Sequence, residues 1–185
     1  GVITKSVDHH EDYVLSGNST MTITEGENTF GPDKIEWPLL FDVDDYAPGS
    51  ENAVAAGSNY HSYTDATVSF GNGTEMNGLY YFGETVDSIS FNHVSVGPDG
   101  MTLVAASSTA TLDFSGETTL FPYVDHLIIL SLGEQDASCK TNTSGPGVIK
   151  MSGFTAWEGL FYAPYSYVSL PGSGVVGVGA IVANK

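Results

Sequence analysis

Apolar and polar residues alternate in short segments along most of this chain, and glycine or proline closes many of the segments. The alternation is clearest near the C-terminus, where apolar side chains recur at nearly every second position. A period of two is typical of a β-strand with one buried face. The pattern therefore predicts an all-β protein. The apolar residues that carry it are Leu160, Tyr162, Val168, Leu170, Val176, Val178, Ile181 and Ala183.

The same pattern predicts short strands upstream, with a short helix only at residues 52–56. The segment 126–132 is apolar on both faces and is typical of a strand covered on both sides. Glycine-rich segments at 71–73 and 97–100 predict turns. The remaining predicted strands occupy residues 13–15, 21–24, 37–43, 68–70, 79–82, 86–91, 94–96, 101–106, 110–114 and 148–151.

An internal similarity helps to choose among all-β architectures. The segment Gly78-Leu79-Tyr80-Tyr81 resembles the segment at 159–162, and the similarity continues from 86–89 to 167–170 at the same offset, 159 − 78 = 81 residues. Stacked structural repeats produce such similarity, although common residue types also match by chance. We therefore predict a β-helix-like stack of short strands, with a β-sandwich or jelly roll as the alternative.

Length and charge narrow the class of protein. At 185 residues the chain is predicted to form a single β-rich domain, with a repeat-like β-helical core at 78–185 and an assembly strand within residues 1–12. The net charge is −17, with five lysines and no arginine, which excludes nucleic acid as a partner and disfavours anionic membrane surfaces. No segment approaches the roughly 18 apolar residues of a membrane span. The single cysteine, Cys139, predicts no internal disulfide.

Two acidic clusters are candidate cation sites. Histidine and carboxylate side chains bind zinc and its neighbours, whereas calcium prefers several oxygen ligands. The alternatives are a solvated polar segment in the first cluster and turn capping in the second. We expect no cofactor other than calcium. The candidate ligands are His9 and His10 in the first cluster and Asp42, Asp44 and Asp45 in the second.

Sequons for N-glycosylation occur at Asn18, Asn72 and Asn142. Each lies in a predicted turn, where an attached glycan would have room. Together with the acidity, these sequons favour a secreted or cell-surface glycoprotein.

The region from Gly78 to Asn184 resembles a family of bacterial and archaeal surface domains of unknown function that often follow pilin-like or TadG-like segments. The resemblance implies a right-handed β-helix, secreted or at the cell surface, without catalytic residues. In the segments of that family that resemble 122–127, a glycine is common at the position of His126. The most specific matching segments are Pro-Tyr-Val-Asp-His-Leu at 122–127, Trp-Glu-Gly-Leu-Phe-Tyr-Ala-Pro at 157–164 and Gly-Ala-Ile-Val-Ala-Asn at 179–184.

An enzyme is not expected. The carboxylates Asp113, Asp125 and Glu158 are available, but lyase chemistry on acidic sugars would lack its usual arginine, and no serine nucleophile elbow occurs. The sequence instead favours a structural subunit of a surface filament, pilus or sheath that self-assembles by strand pairing into a homopolymer. The residues predicted to pair are Val2, Ile3 and Val7 at one end and Val176, Val178 and Ile181 at the other.

A monomeric adhesin or carbohydrate-binding module that recognises surface glycans is the alternative function. In that hypothesis exposed aromatic rings stack on sugar rings. The alternative for the same tyrosines is packing within the sheets. The candidate tyrosines are Tyr60, Tyr63, Tyr165 and Tyr167.

Overall fold

A computed structural model describes residues 40–116, 118–134, 145–153, 155–171 and 176–183. All of these lie in the second of two compact units of the chain, Leu39–Lys185. The single-domain expectation stays a prediction, because residues 1–39 are outside the described part. Several predicted site residues also lie outside it, namely Val2, Ile3, Val7, His9, His10, Asn18 and Asn142.

The described residues form two parallel β-sheets between which the chain alternates. The first sheet contains β1 (Tyr60–Tyr63), β3 (Glu75–Phe82), β5 (Ser95–Ala105), β7 (Thr118–Leu120), β8 (Leu127–Ser131), β10 (Thr155–Ala163) and β12 (Val176–Ala183). The second contains β2 (Thr67–Phe70), β4 (Ser88–Asn92), β6 (Thr111–Ser115), β9 (Val148–Ser152) and β11 (Tyr167–Ser169).

Every pairing between these strands is parallel, so each return to a sheet adds one level to a stack. The stack makes a β-solenoid of about five turns. This confirms the predicted β-helix-like architecture. The alternative of a sandwich or jelly roll is wrong, because those folds are built from antiparallel strands.

The main core lies between the two sheets and consists of columns of equivalent side chains. In the second sheet, the ring of Phe91 stacks on Phe70 at 5.3 Å and on Phe114 at 4.3 Å between centroids. The pairing register explains this stacking, since parallel strands in register bring the same inward position of each turn together. A neighbouring column is formed by Val68, Ile89, Leu112, Ile149 and Val168.

A second apolar cluster lies on the outer face of the first sheet. The chain from Leu40 to Asn59 covers this face with two 3-10 turns, Val43–Tyr46 and Gly57–Asn59, and the helix α1 (Glu51–Ala56). Tyr46 is buried there, and its hydroxyl donates a hydrogen bond of 3.0 Å to Asp125. The outward side chains Leu79, Tyr81 and Leu130 are therefore buried as well. This explains why the first sheet is apolar on both faces, as predicted for 126–132.

Two tyrosines, Tyr46 in this cover and Tyr60 at the start of β1, make the stability of the fold depend on alkaline pH. Burial raises the pKa of the Tyr60 hydroxyl to about 12, with nearby Tyr81 adding to the shift, and burial also raises the pKa of Tyr46. Because the folded chain holds the neutral phenol, this stabilisation is complete below pH of about 10, the ordinary tyrosine pKa, and is lost as pH rises through about 12. We expect the urea midpoint to fall across this interval, and to fall less steeply for Tyr60→Phe. Equal slopes for the two proteins would contradict this assignment.

The internal similarity marks equivalent positions in the first sheet. Gly78 on β3 and Gly159 on β10 occupy equivalent positions along their strands, which are three turns of the solenoid apart. Both have a positive φ, 111° for Gly78 and 140° for Gly159. In the second sheet the similarity is out of step. An offset of 81 residues would match Ile89 with Leu170. The observed strand register instead places Ile89 in one column with Val168, two residues earlier. The shift is even, so the alternation of buried and exposed positions is preserved.

Two local predictions are wrong. Leu40–Val43 is not part of a strand, because Val43 begins a 3-10 turn that Asp42 caps. Residues 97–100 do not end a strand either. They form a bulge inside β5, where pairing shifts from Met76↔Val96 to Gly78↔Met101. The side chain of Asn77 replaces the interrupted backbone pairing, accepting a hydrogen bond from the Asp99 N–H at 3.1 Å.

His126 occupies a backbone conformation that glycine adopts freely. Its φ is 58°, and that of Asp125 is 55°. Non-glycine residues rarely take such angles. A local turn therefore explains why a glycine is expected at this position.

Candidate functional site

The most distinctive feature for assembly is the free edge of β12. This strand pairs with β10 over eight consecutive positions, from Ala156↔Val176 to Ala163↔Ala183. Among the described residues no strand pairs with its other edge. Residues 177–180 are exposed, and Val178 is 68% exposed. Within the part of the chain that the structure describes, the backbone groups of this edge have no strand partner.

The edge lacks the usual protection against such pairing. Natural edge strands are commonly blocked by charged residues, proline or very short length. β12 has eight residues, Val-Gly-Val-Gly-Ala-Ile-Val-Ala, without a charge or a proline. Gly177 is required by packing, since a Cβ there would lie 1.9 Å from the Trp157 ring. In its own sequence, β12 therefore has none of the three usual blocking features.

The three C-terminal residues predicted for assembly all lie on β12, but they play different parts. Ile181 packs against the main core and is paired with Phe161. Val178 lies opposite Glu158 and is exposed. The backbone of Val176 pairs with Ala156. Of the described side chains, Val178 is therefore the one whose substitution probes the edge without disturbing the core.

The sequence did not predict that the two sheets end at different levels of the solenoid. In the described residues the second sheet ends at β11, which lies level with β10, whereas the first sheet continues by one strand to β12. Leu170, just after β11, is 39% exposed. The two sheets thus end at different levels, and core positions near Leu170 are less covered than those further inside.

One of the candidate calcium ligands, Asp42, caps a turn in this structure. The Asp44 N–H donates to Asp42 Oδ1 at 3.0 Å, which closes the turn Val43–Tyr46. Within the described ranges there is no group of three or more His, Cys, Asp or Glu side chains arranged to hold a metal ion. The calcium hypothesis stays a prediction, and the capping alternative accounts for Asp42.

Asn72 is the described sequon. It is exposed in the turn between β2 and β3, beside Gly73 with φ of 81°. The predicted turn is confirmed, and an attached glycan would project into solvent.

The carboxylates considered for catalysis lie on separate elements. Asp113 faces outward from β6 and forms a salt bridge with Lys150 on the adjacent strand β9, with 3.7 Å between Asp113 Oδ2 and Lys150 Nζ. Asp125 accepts the hydrogen bond from Tyr46. Glu158 is exposed on β10. None of these contacts assigns a reaction, and the expectation that the chain is not an enzyme stays a prediction.

Two of the candidate sugar-stacking tyrosines take part in packing. The Tyr60 hydroxyl donates to the Tyr46 carbonyl at 3.1 Å. The Tyr63 ring stacks on Phe82, with centroids 5.3 Å apart. Tyr165 and Tyr167 are half-buried at and after the β10–β11 corner. The packing alternative therefore accounts for Tyr60 and Tyr63.

In the described part of the chain, no helix has the length and apolarity needed to cross a membrane. The chain was compared with protein-family models, curated proteins and solved structures, and none of them matches it. The resemblance to the surface-domain family therefore stays a prediction.

Proposed function

We propose that this chain is a structural subunit of an extracellular filament, pilus or sheath that polymerises by adding a strand of the next copy to the free edge of β12. The observation that carries the proposal is that edge itself, eight residues long, without charge or proline, and exposed at residues 177–180. A strand added there would continue the existing parallel ladder, so main-chain hydrogen bonds would supply affinity.

The donor strand in this proposal is the N-terminal segment with Val2, Ile3 and Val7. Donor and receiver are then different surfaces of the chain. Such a heterologous contact does not close on itself in a dimer, and it generates an open polymer when the rotation between copies does not close a ring.

The sides of the solenoid favour growth along one direction. The outer face of the second sheet is polar, and Ser69 and Ser90 on adjacent strands hydrogen-bond to each other at 2.8 Å between their hydroxyl oxygens. The net charge of −17 opposes lateral association through like-charge repulsion. A surface location and glycosylation at Asn72 are part of the same proposal and are supported by acidity and exposure.

Substitution of Val178 by lysine is expected to abolish assembly and to leave the fold intact. A charged side chain on an exposed edge opposes strand addition. Val54→Lys is the matched control, because Val54 is 71% exposed on α1, away from the edge. Sedimentation velocity should show polymer for the wild type and for Val54→Lys, and monomer for Val178→Lys.

Deleting residues 1–7 tests the donor in the same assay. Monomer is the expected result, with an unchanged circular dichroism spectrum. Undiminished assembly of the truncated chain would refute the donor assignment, and equal assembly of both lysine variants would refute the role of the β12 edge.

A further inference from the structure

An open cleft of about 460 Å³ lies beside α1, on the outer side of the first sheet. Its apolar lining comes from Ala56, Leu79 and Val124, and Leu79 is fully buried beneath it. The size falls within the range of about 300–1,000 Å³ that is usual for small-molecule sites. The cleft lies on a side of the solenoid and does not include β12.

Four polar side chains line the cleft, namely Asn52, Asn59, Asp99 and Tyr123. The Asn52 amide nitrogen donates to the Asp45 carbonyl at 3.1 Å. Asp99 Oδ2 accepts a hydrogen bond from Asn77 Nδ2 at 3.0 Å, which fixes the carboxylate. Among the described contacts Asp99 Oδ1, the Asn59 amide and the Tyr123 hydroxyl have no partner. They can therefore bind a ligand without first breaking a bond within the protein.

The backbone around these groups is well supported. The N–H of Tyr123 donates to Thr102 Oγ1 at 3.2 Å, and that buried hydroxyl in turn donates to the Leu127 carbonyl at 2.6 Å. Gly78 forms the contact between β3 and Asn59, since a Cβ on it would lie 2.1 Å from the Asn59 carbonyl oxygen. Preorganised polar groups lose little entropy when a ligand binds.

We infer that this cleft binds a neutral sugar residue. Sugar hydroxyls can donate to the Asp99 carboxylate and accept from the Asn59 amide, while the C–H face of the ring lies against the apolar lining and Tyr123. Among the described residues that line the cleft there is no lysine, arginine or histidine, and the Asp99 carboxylate is negative, so an acidic sugar is disfavoured. This inference is independent of assembly, although a filament would present many copies of the cleft and bind a polysaccharide multivalently.

Isothermal titration calorimetry with four neutral disaccharides tests the inference directly. The probes are cellobiose, maltose, lactose and N,N′-diacetylchitobiose, with galacturonic acid as the anionic comparison. At least one neutral probe is expected to bind one-to-one. Tyr123→Phe and Asp99→Asn, which preserve side-chain shape, are each expected to weaken binding about tenfold through the loss of a hydrogen bond.

Tyr167→Phe is the matched control, since Tyr167 lies on β11 in the other sheet, and it should bind as the wild type does. The inference is overturned if none of the four probes binds, if the two cleft variants bind unchanged, or if galacturonic acid binds as tightly. Sedimentation velocity on the same samples measures assembly independently of sugar binding. The Val178→Lys variant should therefore be monomeric and should bind the sugar as tightly as the wild type.

Discussion

Replacing Phe91 with alanine is expected to lower the free energy of unfolding by about 3–5 kcal/mol, the usual cost of removing a large ring from a core. Phe91 is 1% exposed and lies between the rings of Phe70 and Phe114. The cavity would interrupt a column that joins three turns of the second sheet, and flanking rings held by their own strands cannot collapse into it fully. Urea denaturation followed by circular dichroism measures the change.

Ser88→Ala is the control for this substitution. Ser88 lies on the same strand but is exposed on the outer face of the solenoid, so its loss should change stability by no more than about 0.5 kcal/mol. If Phe91→Ala were as mild as Ser88→Ala, the stacked core between the two sheets would be wrong.

Replacing Gly78 with alanine is expected to cost about 3 kcal/mol, for two reasons that add. The φ of Gly78 is 111°, which strains any residue with a Cβ. That Cβ would also lie 2.1 Å from the Asn59 carbonyl oxygen, and a backbone atom cannot move aside as a flexible side chain can. The midpoint of thermal or urea unfolding reports the loss.

Gly71→Ala is the matched glycine substitution. A Cβ at Gly71 meets no atom within 4 Å, and its φ is not in the positive region. Alanine there is expected to be neutral or to stabilise by up to about 1 kcal/mol, because it restricts the unfolded chain. Similar losses for both variants would mean that Gly78 does not lie against Asn59 with the backbone conformation described.

Most of the solenoid could be predicted from the sequence because its repeating unit is local. A buried position every second residue and turn residues between the apolar segments identify strands, and the recurrence of Gly78-Leu79-Tyr80-Tyr81 at 159–162 indicates stacking. The offset between these segments proved right in the first sheet and wrong by two residues in the second, where register sets Ile89 level with Val168. Corner lengths differ from turn to turn, and no single offset describes them.

The outer cover and the cleft could not be predicted in the same way. Tyr46 reaches Asp125 across 79 residues. The short helix predicted at 52–56 is present as Glu51–Ala56, but nothing in its sequence shows which sheet it packs on. The glycines and proline at 97–100 favoured a turn, whereas the side chain of Asn77, on the neighbouring strand, holds the segment as a bulge in β5. Asn59, Asp99 and Tyr123 share no sequence motif, and tertiary packing alone brings them together.

Negative-stain electron microscopy of the chain near neutral pH tests the central claim, which is that solenoids join through the edge of β12. We predict unbranched filaments of uniform width, one solenoid wide, because each added copy would continue the β-ladder of the one before it. A field of small single particles, at concentrations where the chain remains folded, would contradict the account and would leave the sugar cleft as the better guide to function.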